Sequence, residues 1–195
     1  EINPDHFEVI KFQKQRLGTT RGFIAVKPNC SIQSYTPALS AWREFEPYEV
    51  VATTYQAISG AGKTFKDWPE MVENVIPYIG GEEEKSEKEP MKIWGRIEGD
   101  HIESATSPVI SAQCLRVACS DGHMAAASVK FKNKPSKEVM IERWNNFKGR
   151  AQELNLPSAP EHYLTYCEED NRPQTKLDRN LENGMGVSIG RLRED

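Results

Sequence analysis

The chain has 195 residues, a net charge of −4 and ordinary apolar, aromatic and charged fractions, enough for one sizeable globular domain. No basic stripe interleaved with aromatics runs through it, which argues against nucleic acid as a partner. No stretch approaches the ~20 apolar residues of a membrane span, and EINPDHFEVI is not a signal core, so no membrane partner is expected and the chain reads as cytosolic. Its four cysteines, Cys30, Cys114, Cys119 and Cys167, show no metal-ligand or CxxC spacing. Reduced thiols and no metal are expected.

In chain order, DHFEVIKFQKQR carries Phe7, Ile10 and Phe12 among charges and reads as an amphipathic helix ended by Gly18. The apolar run Phe23 to Val26 reads as a strand. It turns through PNCS into a helix over SIQSYTPALSAWREF, capped by Ser31, with Tyr35, Leu39, Trp42 and Phe45 at helical spacing. EVVATTYQAIS is a strand by its Val and Thr content. SGAGKT is a bend, DWPEMVENV a short helix, IPYIGG a loop, and EEEKSEKEPMKIWGRI a charged, partly helical segment containing Pro90. SPVISAQCLRVACS and HMAAASVKFK read as two strands joined by a hairpin-like turn at SDG. SKEVMIERWNNFKGRAQEL has a regular helical pattern, capped by Ser136, with Val139, Ile141, Trp144, Phe147 and Ala151 on its apolar side. EHYLTYCEE and GMGVSIGRLRE close the chain as strands. Strands and helices mix without regular βα alternation, so the expected fold class is α+β, a mixed or mostly antiparallel sheet with helices on one face.

A free cysteine is most often a packing residue. At the first turn of a helix, however, Cys30 faces unsatisfied N–H groups and the positive end of the helix dipole, which stabilise a thiolate and an oxyanion. His123 follows SDG, and Arg116 lies seven residues earlier; a hairpin at SDG brings both to one side. Arginine grips carboxylates bidentately and histidine exchanges protons near neutrality. The three together fit a thiol enzyme acting on a small acid. AISGAGKT imitates the phosphate-cradling GxxxxGK[ST], with Ala57 in place of the first glycine, but Pro69 interrupts the helix such a loop requires, and the stretch reads as a turn. GEEEKSEKEP reads, on charge alone, as a solvated helix start. His6, His101 and His162 lie in polar surroundings and carry no assigned role.

Four motifs occur together in one order: PNCS (28–31), TYQAISGAG (54–62), EEEK (82–85) and RVACSDGH (116–123). With the closing RPQTKLDRNLENGMGVSIGRLRED, they resemble aspartate-semialdehyde dehydrogenase, in its fungal and archaeal branch. The resemblance covers nearly the whole chain and implies the catalytic and dimerisation domain, with a fold like the C-terminal domain of glyceraldehyde-3-phosphate-dehydrogenase-like proteins. It implies Cys30 as the nucleophile forming a thioester and His123 as the general acid/base. It assigns Arg116 to the substrate α-carboxylate, Gln56 to substrate orientation, Glu82 to the substrate amino group, Lys85 to phosphate, and Ser59 and Gly60 to NADP. The implied reaction is the NADP-dependent reductive dephosphorylation of L-aspartyl-4-phosphate to L-aspartate-4-semialdehyde, in lysine, threonine and methionine biosynthesis, by a homodimer or a tetramer of dimers. The family's GxxGxxG fingerprint does not occur in this sequence. Residues 1–195 are therefore expected to be a single catalytic domain, with 1–22 leading in from a nucleotide-binding domain and 184–195 forming a last strand before a C-terminal helix. Such a chain is expected to bind NADP poorly and to be inactive alone. The alternatives are N-acyl-glutamyl-phosphate reductase, which shares the thiol chemistry, and a non-catalytic dimerisation module.

Overall fold

The structure, a computed structural model, describes residues 2–194. Its centre is a four-stranded mixed sheet built on β1 (Pro47–Gln56). β5 (Val109–Val117) lies parallel to β1 on one side, and β6 (Met124–Phe131) antiparallel on the other. A two-residue β2 (Val75–Ile76) pairs with the end of β5. The expected α+β class and mixed sheet are thus present. The hairpin at SDG is not, because β1 sits between the two strands that SDG connects. The backbone of that connection bonds instead to the segment after β1, with Ile58 N–H donating to Cys119 O (2.9 Å) and Ser59 N–H to Ser120 O (3.2 Å).

Alternation along β1 turns Val50, Ala52, Thr54 and Gln56 inward and leaves Val51 and Tyr55 exposed on the outer face. The inner face packs on the segment 31–45. That segment is not the single helix its spacing suggests. It runs as a 3₁₀ turn (Ser31–Ser34), a short α2 (Thr36–Ser40) and a second 3₁₀ turn (Arg43–Phe45), because Pro37 restarts the helix and the chain must bend over the sheet. Tyr35, Leu39 and Trp42 are nonetheless buried as expected. α4 (Lys137–Asn145) is capped by Ser136, whose hydroxyl accepts from Val139 N–H, and buries Met140 and Trp144. Trp144 stacks on Trp42 (centroids 4.1 Å) and on Tyr166 (5.7 Å), while its indole N–H donates to Ala38 O at 3.0 Å. Tyr166 lies on β7 (Leu164–Cys167), which pairs in parallel with β8 (Val187–Gly190), the two closing strands expected from sequence.

The N-terminal helix, a 3₁₀ turn (Pro4–Val9) continued by α1 (Ile10–Leu17), ends at Gly18 in the left-handed conformation (φ +65°). None of its residues is fully buried. The run Phe23–Val26 is not a strand: both backbone hydrogen-bonding groups of Ile24 are taken by the Gln13 amide at 2.9 Å, so the segment lies along α1 rather than in the sheet. DWPEMVENV supplies only a 3₁₀ turn (Pro69–Met71) before β2, with Met71 fully buried. A small hairpin of β3 (Arg96–Glu98) and β4 (His101–Glu103) follows α3 (Glu82–Ile93), and α5 (Arg150–Glu153) and α6 (Thr175–Asp178) are single turns. No helix among the described residues is long and apolar enough to cross a membrane.

Replacing Trp144 with alanine removes two aromatic contacts and an indole hydrogen bond from a closed site. It is expected to lower unfolding stability by about 3–5 kcal/mol, read from the denaturant midpoint. A loss under about 1 kcal/mol contradicts the central place given to this ring.

Candidate active site

The charged run that looked solvated is a docking face. On α3, Glu83 and Glu87 accept the backbone N–H groups of Cys114 (3.3 Å) and Ala112 (3.2 Å) on the edge of β5 that β1 does not cover. The match is geometric: four residues of helix rise about 6 Å and two residues of strand about 6.6 Å. A second face turns to PNCS. Glu82, buried at the start of α3, accepts two bonds from the Asn29 amide (2.9 Å each), one from Gln56 Nε2 (3.1 Å) and one from Lys85 Nζ (3.2 Å). Burial opposes its charge, but those donors outweigh it and hold the carboxyl below its ordinary range.

Pro90 stands inside α3 without an N–H to give, which frees the carbonyl of Ser86 four residues earlier. Tyr35 O–H donates to that carbonyl at 2.7 Å, and burial pushes the phenol's pKa up, keeping it a donor. Ser86 Oγ lies 3.3 Å from Ser31 Oγ. Helix and thiol loop are thus tied at 29, 31 and 35. Cys30, half-buried, is the residue from which the 3₁₀ turn Ser31–Ser34 starts.

On the sheet, Gln56 faces Arg116 across the β1–β5 ladder, and Thr54 Oγ1 donates to Gln56 Oε1 at 3.0 Å, which fixes the amide so that its nitrogen points to Glu82. Beyond β1, the backbone of Ala57 serves both partners: its N–H donates to His123 Nδ1 at 3.0 Å, and its carbonyl accepts from Arg116 Nη1 at 2.7 Å. With Nδ1 accepting, the neutral imidazole carries its proton on Nε2. Burial, and then the Arg116 charge, hold His123 below the usual histidine range, so the ring is neutral at pH 7. A carbon on Gly60 would stand 3.0 Å from Arg116 Nη1 and 3.1 Å from His123 Nε2. Glycine there lets the turn close over both side chains. Arg116 is buried, and burial lowers its pKa against the opposing pull of Glu82 and of Cys30.

The structure therefore ties Glu82 to Gln56, Lys85 and Asn29 beside Cys30, and gathers Arg116 and His123 on Ala57 at the end of β1, with Lys85 the more exposed of the set. Arg116 and His123 meet around Ala57, not across a hairpin. Ser59 and Gly60 lie exposed on the turn (Ile58–Ala61), with Gly60 close to His123. The GAGKT stretch is the turn it was read as, with Gly62 left-handed at φ +66°. No cluster of metal-ligating side chains occurs among the described residues. Sequence reasoning missed the Ala57 backbone, Ser86 and Glu89. Asn29 was visible only as part of PNCS.

Residues 39–195 match the family described as semialdehyde dehydrogenase, dimerisation domain. The chain is 38% identical to aspartate-semialdehyde dehydrogenase of Aspergillus fumigatus, over 99% of this chain and 55% of that protein. It is 37% identical to the enzyme of Methanothermobacter thermautotrophicus, over 100% and 56%. The fold superposes on the crystal structure of aspartate semialdehyde dehydrogenase with NADP from Candida albicans with a TM-score of 0.85 and 33% identity, covering 99% of this chain and 56% of that one. The chain spans a little over half the length of the relatives it matches. With that match over most of its length and a mixed sheet of the same fold, the chain belongs to the semialdehyde dehydrogenase dimerisation-domain family, among the aspartate-semialdehyde dehydrogenases of fungal and archaeal type.

Proposed function

We infer that these residues form the catalytic and dimerisation part of an NADP-dependent aspartate-semialdehyde dehydrogenase of the cytoplasm, which converts L-aspartyl-4-phosphate to L-aspartate-4-semialdehyde. The observation that carries this reading is an imidazole and a buried guanidinium held on the Ala57–Gly60 turn, with the Gln56 amide bonded to the Glu82 carboxylate and that carboxylate bonded in turn to Asn29, the residue before Cys30. Each group has work in that reaction. Arg116 grips the substrate α-carboxylate, fixed by its bond to the Ala57 carbonyl. Glu82, held ionised, takes the substrate ammonium, and Gln56 orients the chain between them.

Cys30 Sγ, its proton given up to water, adds to the acyl carbon; an S–C bond forms, the carbonyl electron pair moves to oxygen, and its return breaks the C–O bond to phosphate, with Lys85 to take the leaving anion. His123 offers Nε2–H to the sulfur or to the oxygen that gains charge as sulfur adds. Accepting a proton at Nδ1 requires the Ala57 bond to give way, so the geometry shown is the donor state of the ring. When bound, the reduced cofactor NADPH would supply the hydride that releases the Cys30 thioester as aldehyde with its C–S bond broken, and Ser59 and Gly60 are the residues of this chain that would meet it. The rest of the cofactor's binding site is proposed to lie outside these residues, which span 55% of the Aspergillus fumigatus relative.

The outer face of the sheet is uncovered along Val51 and Tyr55 of β1 and Val109 of β5. Thr53, Ser111, Gln113 and Ser128 and a Glu49–Lys130 ion pair share that face, a mixed apolar and polar surface whose proposed occupant is a second copy of the chain.

Three outcomes test this reading. The 195-residue chain alone is expected to show no measurable semialdehyde oxidation; rates near those of a full-length relative overturn the dependence on further residues. Gly60→Ala in the native polypeptide is expected to lower kcat/KM by about 10–100-fold with little change in melting temperature, because it displaces Arg116 and His123 together. Val51→Asp is expected to convert the dimer to monomer in sedimentation velocity. A dimer unaffected by that charge places the interface elsewhere.

A further inference from the structure

α3 presents Glu82, Ser86 and Glu89 at i, i+4 and i+7, one face of the helix. Glu82 and Ser86 meet the side chains of Asn29 and Ser31. Glu89 does something different: its carboxylate accepts the backbone N–H of Asn29 at 2.6 Å, a short, charge-assisted bond to the residue just before the nucleophile. The chain leading to Asn29 runs outside every strand, so no ladder supplies that N–H with a carbonyl. The Asn29 side chain is shared, its amide given to Glu82 and its oxygen taken by Ser31 N–H (2.8 Å) and Ser31 Oγ (2.6 Å).

We propose that Glu89 is a positioning residue for Cys30: it anchors the peptide before the thiol so that the sulfur keeps its aim at the pocket when Glu82 turns from Asn29 to a bound ligand. The proposal rests on the reading of Glu82 as a ligand-binding carboxylate. Glu82 already accepts from Asn29, Gln56 and Lys85. A substrate ammonium takes part of that capacity and loosens the hold on the Asn29 amide. The Glu89 bond runs to the backbone, is independent of the ligand, and is unaffected. One carboxylate of the face is thus exchangeable and the other fixed.

The role depends on an acceptor at the right reach and not on negative charge, and two near-isosteric variants separate the two. Glu89→Gln keeps an oxygen at the same distance without charge. Glu89→Asp keeps the charge but withdraws it by one methylene. In the native polypeptide, E89Q is expected to keep kcat and the rate of Cys30 alkylation by iodoacetamide within about threefold. E89D is expected to lose about 10²-fold in kcat, with KM for the semialdehyde changed much less, as a misplaced nucleophile should. The pH profile of alkylation keeps its midpoint in E89Q. The reverse order, E89D active and E89Q impaired with a shifted midpoint, overturns positioning in favour of an electrostatic effect on the thiol. Equal activity of both variants with wild type overturns it as well. If E89D does not fold, the E89Q arm decides: a fall beyond about 30-fold contradicts the proposal, since the loss of a neutral-for-charged acceptor is worth far less. Alkylation needs no substrate, so it reads the loop even if no semialdehyde is turned over, an outcome that would instead sink the function proposed above.

Discussion

The arrangement depends on a helix that behaves like an extra strand. α3 lies along the open edge of β5 and satisfies alternate N–H groups there with carboxylates, because the rise of one helical turn nearly equals two residues of strand. Hydrogen bonds to a charged acceptor contribute about 1.5–3 kcal/mol each. An exposed ion pair such as Glu84–Lys88, on the other side of the same helix, is screened by solvent and contributes little. The glutamates that look alike in sequence therefore differ in weight. Those facing inward fix the distance between helix and sheet, and with it the distance between Glu82 and Gln56.

Once α3 is seated, the rest of the pocket follows from backbone economy. Pro90 withholds one helical N–H, Tyr35 takes the carbonyl that is left over, and the thiol loop is drawn against the helix. The sheet contributes from its inner face only, through Thr54, Gln56 and Arg116. In the proposed function, chemistry and association would be separated by the thickness of one sheet, with Gln56 and Arg116 on the face that carries the core and Val51, Tyr55 and Val109 on the other. The stacked Trp42, Trp144 and Tyr166 lock the far side of the core, and they also join β7 to the segment carrying Cys30.

Much of this was legible in the residues, and what was not has physical reasons. Val and Thr content gave β1, and the Ser136 cap gave α4, since both signals are local. The strand at Phe23 to Val26 failed because its apolar residues are matched by a side-chain amide, Gln13, which no periodicity reveals. The SDG hairpin failed because the same turn chemistry serves a connection that steps over a third strand, and only long-range pairing distinguishes the two. The candidate site residues came from a conjunction of motifs: Cys30, Arg116 and His123 from their chemistry, Gln56, Glu82, Lys85, Ser59 and Gly60 from resemblance. Their supports were not, because Ala57 acts through its backbone and Glu89 is one acid among many.

Ala57 has a consequence for how this pocket can change. Its N–H sets the imidazole and its carbonyl sets the guanidinium, so in the proposed reaction proton handling and carboxylate recognition would share a single peptide segment as their reference point. Moving that segment to admit a bulkier acid moves the imidazole by the same displacement. Substrate range and proton chemistry are then coupled variables.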